Sequence, residues 1–152
     1  MARSMTTDID PRGPRFGAGI TVAVLAVVLI TGSAWLLGAQ VLVFAIGALA
    51  GLRYAPYGTW YRRLIGPRLG PPAHTEAEAP PRFAQGVGMV VAAAGVIGYA
   101  SGVTAAGAVF TALALAAALL NAAFDFCLGC QAYLFIQRNL KRTRPEYAGN
   151  RQ

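Results

Sequence analysis

Cys127 and Cys130 are the only two cysteines in the 152-residue chain, and they form a C-x-x-C motif with Gly129 inside it and Asp125 two residues upstream. Two thiols at this spacing can form a disulfide, share a metal ion or carry sulfur. The alternative is that both are buried and pack as small hydrophobic side chains. The motif is thus compatible with sulfur chemistry or with plain packing, and it does not specify a substrate.

The composition predicts that this motif lies in an integral membrane protein. Apolar residues make up 56% of the chain, charged residues make up 12%, and the mean hydropathy is +0.51. Soluble domains carry about 25% charged residues. The net charge of +7 comes from basic residues that border apolar runs. We therefore expect anionic lipid headgroups as the counter-charge, and no nucleic acid.

Four apolar segments predict an all-α fold, a bundle of four transmembrane helices. They cover about residues 16–37, 41–52, 84–102 and 104–126, and the last can continue past the cysteines to Gln137. A turn at residues 38–40 would join the first two. The second segment is shorter than the ~20 residues of a typical span, so it crosses only if Arg53 and Tyr54 lie inside the inner boundary. The predicted regions are a segment 1–15, a membrane domain 16–137 with a loop of about 53–83, and a basic tail 138–152.

The distribution of charge predicts the orientation of these helices. All 13 lysines and arginines lie before the first span, between the second and third, or after the fourth. The positive-inside rule therefore places the N-terminus, the C-terminus and the central loop in the cytoplasm.

A short motif begins each half of the membrane domain. Pro14-Arg15-Phe16 precedes the first two spans, and Pro81-Arg82-Phe83 precedes the last two. This pattern predicts two parallel helix-pair repeats. The alternative is a common boundary signal, in which proline starts a helix and arginine lies among headgroups. The aromatic and basic residues after the second span (Tyr57, Trp60, Tyr61, Arg62, Arg63 and Arg68) are typical of an interfacial anchor.

An uninterrupted fourth helix would place the cysteine pair at the cytoplasmic interface. Cys127 would lie about 35 Å along the helix from Thr104, and the hydrocarbon layer is ~30 Å thick. A disulfide needs closer Cβ atoms than regular helical spacing gives, and Gly129 would supply flexibility. The C-terminal end of a helix and the nearby Asp125 would both disfavour a thiolate. Arg53 is expected at the same depth, where it could pair with Asp125.

Three motifs in this order are similar to those of a known family. They are Asp10-Pro11-Arg12-Gly13-Pro14-Arg15-Phe16, Pro80-Pro81-Arg82-Phe83-Ala84-Gln85 and Phe126-Cys127-Leu128-Gly129-Cys130-x-x-Tyr133. Over about residues 8–138 the chain resembles the bacterial membrane family catalogued as domain of unknown function 4395. Members of that family are often encoded near thioredoxin-like and thiosulfate sulfurtransferase-like proteins. The resemblance implies a bacterial cytoplasmic membrane location and thiol chemistry at Cys127 and Cys130. A looser similarity, of architecture alone, is to DoxX-like and DoxD-like membrane proteins.

The leading hypothesis is a membrane thiol protein whose catalytic residues are Cys127 and Cys130. Asp125, Arg53, Gly129 and Tyr133 would support the pair. A thioredoxin-like or sulfurtransferase-like protein would exchange with it, and a membrane quinone is a candidate electron acceptor. The alternatives are a transporter or channel for a small sulfur species and a non-catalytic scaffold. The residues do not predict a metal site, and a homo-oligomer is compatible with the pattern.

Overall fold

The computed structural model describes residues 8–142, which form mainly α-helices. The all-α prediction is therefore confirmed. Two short strands, β1 (Asp8–Ile9) and β2 (Glu76–Ala77), pair antiparallel and join the N-terminal segment to the central loop. The helices are α1 (Arg12–Thr31), α2 (Ala34–Ala45), α3 (Pro56–Trp60), α4 (Gly66–Leu69), α5 (Ala79–Ala100), α6 (Thr104–Phe124) and α7 (Leu128–Arg142).

Three of these helices, α1, α5 and α6, are long and apolar enough to cross a membrane. A shorter apolar helix, Ala34–Ala50, consists of α2 and a following π-helical turn. Three of the four predicted spans thus coincide with helices of sufficient length and apolarity, while the crossing by Ala34–Ala50 and the four-helix bundle stay predictions. Residues 1–7 of the predicted segment 1–15 and residues 143–152 of the predicted tail 138–152 lie outside the described residues. Helix α1 begins at Arg12, within the predicted segment.

The turn between α1 and α2 lies at Gly32 and Ser33, so its prediction at residues 38–40 was wrong. Gly32 adopts a left-handed conformation (φ 63°), and its N–H donates to the carbonyl of Val28. The Ser33 hydroxyl then accepts a hydrogen bond from the backbone N–H of Leu36 and caps α2. As signals for a helix boundary, a glycine that ends one helix and a serine that caps the next are stronger than the polarity of Gln40. Gln40 is instead buried inside α2.

The end of the second apolar helix is fixed by the central loop. Gly51 follows the π-helical turn with φ 111°, a conformation that favours glycine. The carboxylate of Glu78 accepts a hydrogen bond of 2.7 Å from the N–H of Leu52. Arg53 therefore follows the end of this helix, as the sequence suggested, but within a 3-10 turn (Leu52–Tyr54).

The core is a layer of apolar side chains between the long helices, completed by small residues where backbones approach closely. Its buried members are Leu25, Val28, Leu37, Phe44, Ala92 and Ala114. A Cβ atom at Gly98 of α5 would lie 2.5 Å from the backbone nitrogen of Gly107 in α6, so only glycine fits this crossing. Small residues at such crossings let apolar helices approach closely.

The arginines of the two Pro-Arg-Phe motifs make equivalent contacts. Arg15 of α1 donates to the carbonyl of Ala122 near the end of α6. Arg82 of α5 donates to the carbonyls of Ala48 and Leu49 at the end of the second apolar helix. Each cation thus binds helix C-terminal carbonyls of the other helix pair. Two related repeats would give this reciprocity, and the duplication itself stays a prediction.

Candidate functional site

The chain breaks between α6 and α7, immediately before the cysteines. Asp125 adopts a left-handed conformation (φ 55°), and the N–H of Phe126 donates to the carbonyl of Leu120 at 3.2 Å. Among residues other than glycine, aspartate is one of the few that tolerate this conformation. The prediction of one helix continuing to Gln137 was therefore wrong. Asp125 is the residue that ends α6.

The new helix begins at the cysteine pair. Cys127 and Cys130 form a disulfide, with their Cα atoms 5.2 Å apart. The backbone N–H of Cys130 donates to the sulfur of Cys127 at 3.3 Å, and the N–H of Gln131 donates to the carbonyl of Cys127 at 3.0 Å. Both cysteines are half-buried. Cys127 thus occupies the capping position of α7.

This position reverses the electrostatics expected from the sequence. The pair was predicted near the C-terminal end of a helix, where the helix dipole disfavours a thiolate. It lies instead at the N-terminus of α7, where free N–H groups and the positive end of the dipole stabilise an anion. Reactive C-x-x-C thiols typically occupy this position. The arrangement is chemically suited to thiol–disulfide exchange.

Helix α5 supports the cysteine pair from one side. A Cβ atom at Gly129 would lie 2.6 Å from both the Cα and the Cβ of Ala84, so glycine is required here for close packing. One turn later, the rings of Tyr133 and Phe83 pack with centroids 5.6 Å apart. Gly129 and Tyr133 therefore contribute to the docking of α7 on α5, and their supporting role for the cysteines stays a prediction.

The predicted pairing of Arg53 with Asp125 does not occur within residues 8–142. The guanidinium of Arg53 lies 4.5 Å from the centroid of the Tyr54 ring and donates to the hydroxyl of that tyrosine. Asp125 is exposed, and its role is in the backbone conformation that ends α6. The structure thus brings Gly129 and Tyr133 to the cysteines, but it does not bring Arg53 to Asp125.

A cavity of about 480 Å³ with a mostly apolar lining lies at the same end of the helices and was missed by the sequence reasoning. We call it the tyrosine cavity. Its lining includes Asp8, Asp10, Thr21, Val43, Leu52, Arg53, Tyr54, Tyr57, Tyr61, Arg62 and Gln85. Tyr61 is only 3% exposed, so the interpretation of the aromatic residues as a plain interfacial anchor was wrong for this one. Exposed Trp60 still fits that interpretation.

Hydrogen bonds hold the two cavity tyrosines in place. The Tyr57 hydroxyl donates to the side-chain carbonyl of Gln40 at 2.8 Å, and the amide of Gln40 donates to Thr21 at 3.4 Å. The Tyr61 hydroxyl donates to Asp10 at 3.2 Å, and Asp10 also pairs with Arg12. Burial raises the pKa of Tyr57, and burial together with the bond to Asp10 raises the pKa of Tyr61. Both hydroxyls therefore stay neutral donors at physiological pH.

A signal for this arrangement is present in the sequence. Gly13 and Gly17 lie four residues apart on α1, the spacing at which small residues accept a neighbouring helix. A Cβ atom at Gly13 would lie 3.5 Å from the Tyr61 ring, and one at Gly17 would lie 3.5 Å from the Cβ of Tyr57. The same spacing of four separates Tyr57 from Tyr61, so the two patterns together could have predicted the contact.

One comparison with known proteins gives a match. The family model described as Domain of unknown function (DUF4395) matches residues 9–138, which include the cysteine pair, its α5 support and the tyrosine cavity apart from Asp8. No curated protein and no solved structure matches the chain.

Proposed function

We propose that this chain, which belongs to the DUF4395 family of unknown function, is a membrane thiol–disulfide exchange protein that works through Cys127 and Cys130. The observation that carries this proposal is the bridged pair at the N-terminus of α7, directly after the apolar helix α6. Helix N-termini stabilise thiolates, and the thiolate is the species that attacks or leaves in disulfide exchange.

The proposal includes four membrane crossings, made by α1, the helix Ala34–Ala50, α5 and α6. The positive-inside rule then puts both termini and the cysteine pair at the cytoplasmic face of a bacterial inner membrane. The cytosol keeps thiols reduced, and the disulfides found there are usually transient and catalytic. A bridge at this location therefore favours a redox role over a structural one.

The exchange reaction balances with a dithiol partner of the thioredoxin type. A partner thiolate attacks one sulfur of the Cys127–Cys130 bridge and forms a mixed disulfide. The second partner thiolate breaks that bond, so two electrons and two protons pass from the partner to the membrane pair. A membrane quinone would accept them, becoming a quinol and restoring the bridge. A sulfurtransferase-like partner would instead pass a sulfane sulfur to the reduced thiols.

Labelling of the cysteines in oriented vesicles tests the location and the redox behaviour together. In inside-out vesicles, a membrane-impermeant maleimide should label both cysteines after reduction, and oxidation should protect both. Right-side-out vesicles should show little labelling. In the Cys127→Ser variant, Cys130 should stay open to alkylation under oxidising conditions because it has no partner within the pair.

Trp35 provides the matched control for orientation. It is 92% exposed at the start of α2, at the opposite end of the helices from the cysteines. In a Cys127→Ser, Cys130→Ser background, Trp35→Cys should be labelled in right-side-out vesicles only. Thiols at 127 and 130 that resist labelling in both orientations and both redox states would contradict the proposal.

A further inference from the structure

We propose that the tyrosine cavity is a binding site for an amphipathic organic anion. The anionic head would bind to Arg53 and Arg62, and the apolar body would lie along the inner wall. This site is separate from the cysteine pair and does not depend on the thiol function. Its volume of about 480 Å³ falls within the range of small-molecule sites.

The charges of the lining favour an anion at the outer rim. Arg53, Arg62, Asp8 and Tyr54 are the exposed lining residues, so they mark the opening. The guanidinium of Arg62 donates to the backbone carbonyl of Arg53, and the guanidinium of Arg53 lies over the Tyr54 ring. Asp10 is already paired with Arg12 at 3.1 Å. Among the described lining residues, Arg53 and Arg62 at the opening therefore outnumber the one acid there, Asp8, which accepts a hydrogen bond from Thr75.

Both arginines retain hydrogen-bonding capacity. A guanidinium has five N–H donors. Within residues 8–142, the side-chain donors of Arg53 reach the hydroxyl of Tyr54, and those of Arg62 reach the carbonyl of Arg53 and the hydroxyl of Thr59. Arginine binds phosphate and carboxylate through two parallel hydrogen bonds. The rim can thus accept such a group without breaking an existing ion pair.

The rest of the lining suits an apolar body. Leu52 and Tyr61 are buried, Val43 is half-buried, and most of the lining surface is apolar. The half-buried Gln85 also lines the cavity, and its side chain packs against Gly47. The cavity therefore joins a basic opening to a mostly apolar interior.

Titration of the detergent-solubilised protein with dodecyl phosphate tests the site. The chain has two tryptophans, and Trp60 lies 6.1 Å from Tyr57 between ring centroids. In a Trp35→Phe background, Trp60 alone reports binding. Its emission should change saturably with dodecyl phosphate. Inorganic phosphate, which has the head without the body, should bind at least about tenfold more weakly, and dodecyltrimethylammonium should give no saturable change.

Charge variants give opposite expected effects. Arg53→Gln and Arg62→Gln should each weaken dodecyl phosphate binding about tenfold or more, because a charge-assisted hydrogen bond is lost. Asp8→Asn should tighten it. Arg63→Gln and Arg68→Gln are matched controls, since both arginines are exposed and outside the cavity lining, and they should bind as the parent does. Nonspecific partition of dodecyl phosphate into micelles would instead give no saturation, and it would be the same for the parent and all five variants.

A variant that keeps the charges tests the cavity itself. Val43→Phe fills the inner wall, and it should abolish saturable binding while both arginines remain. Phosphatidylglycerol in the micelles distinguishes two sources of the natural ligand: it should compete if the occupant is a membrane lipid, and it should not if the occupant is a soluble amphiphile. Unchanged affinity in Arg53→Gln and Arg62→Gln, preferred binding of the cation, or full binding in Val43→Phe would each overturn the proposal.

Discussion

Gly129→Ala should move α7 away from α5 and loosen the helix that carries the cysteine pair. The new Cβ would lie 2.6 Å from Ala84, whereas ordinary contacts begin near 3.4 Å, so α7 has to withdraw by about 0.8 Å. Overpacking of this kind costs roughly 1–3 kcal/mol. The better helix propensity of alanine offsets about 0.5–1 kcal/mol of that cost.

Hydrogen exchange of the α7 amides measures this effect directly. The midpoints of these ranges leave a net loss of about 1.25 kcal/mol, which corresponds to exchange about eightfold faster over Leu128–Arg142, with α1 and α6 unchanged. The double variant Gly129→Ala, Ala84→Gly should recover part of the exchange protection of α7. The second change removes the Cβ of residue 84 and leaves its Cα, the other atom within 2.6 Å. Faster reduction of the disulfide by dithiothreitol should accompany the faster exchange.

Gly19→Ala is the matched control. Gly19 lies on an exposed face of α1, and a Cβ atom there would meet nothing within 4 Å. This change should leave exchange in α7 untouched and should slightly stabilise α1. If Gly129→Ala behaves as Gly19→Ala does, the close packing of α7 on α5 is refuted.

Two further predictions concern groups outside the cysteine pair. Arg15→Gln and Arg82→Gln should each lower the free energy of unfolding by about 1–2 kcal/mol, because each removes hydrogen bonds to helix C-terminal carbonyls. Thermal unfolding in detergent measures this effect, and Arg63→Gln should have little effect in the same assay. Burial raises the pKa of Asp10, but hydrogen bonds from Arg12 and Tyr61 outweigh it and keep that pKa below its ordinary value. The stability from Asp10 is therefore complete above the unfolded-state pKa and is lost as the pH falls below about 4, so Asp10→Asn should flatten the pH dependence of the melting temperature there.

The sequence predicted those parts of the fold that depend on local composition. Long uncharged segments are sufficient to indicate α1, α5 and α6, because a bilayer requires its spanning backbone to be hydrogen-bonded internally. The boundary between α1 and α2 was misplaced, since polarity at Gln40 was given more weight than the stop and start signals at Gly32 and Ser33. Gln40 can be buried because Thr21 and Tyr57 satisfy its amide.

The motif alone marks Cys127, Cys130 and Gly129 as candidate site residues, and their role stays a prediction. The geometry around them was not predicted. The helix break depends on the left-handed conformation of Asp125, which a single-residue preference does not reveal in an otherwise apolar run. Because the helix breaks at Asp125, the cysteines lie at the positive N-terminal end of α7 and not at the negative C-terminal end of α6. The tyrosine cavity depends on contacts between α1 and the segment after α2, which lie far apart in the sequence.

Electron transfer from reduced thioredoxin to the purified, oxidised protein is the most direct test of the proposed function. One thioredoxin dithiol should be oxidised per chain, and two thiols should appear at Cys127 and Cys130. The Cys127→Ser and Cys130→Ser variants should each abolish this two-electron exchange while keeping the melting temperature of the parent. A bridge that thioredoxin does not reduce, in a protein whose cysteines are nonetheless accessible to maleimide after chemical reduction, would contradict thiol–disulfide exchange as its function.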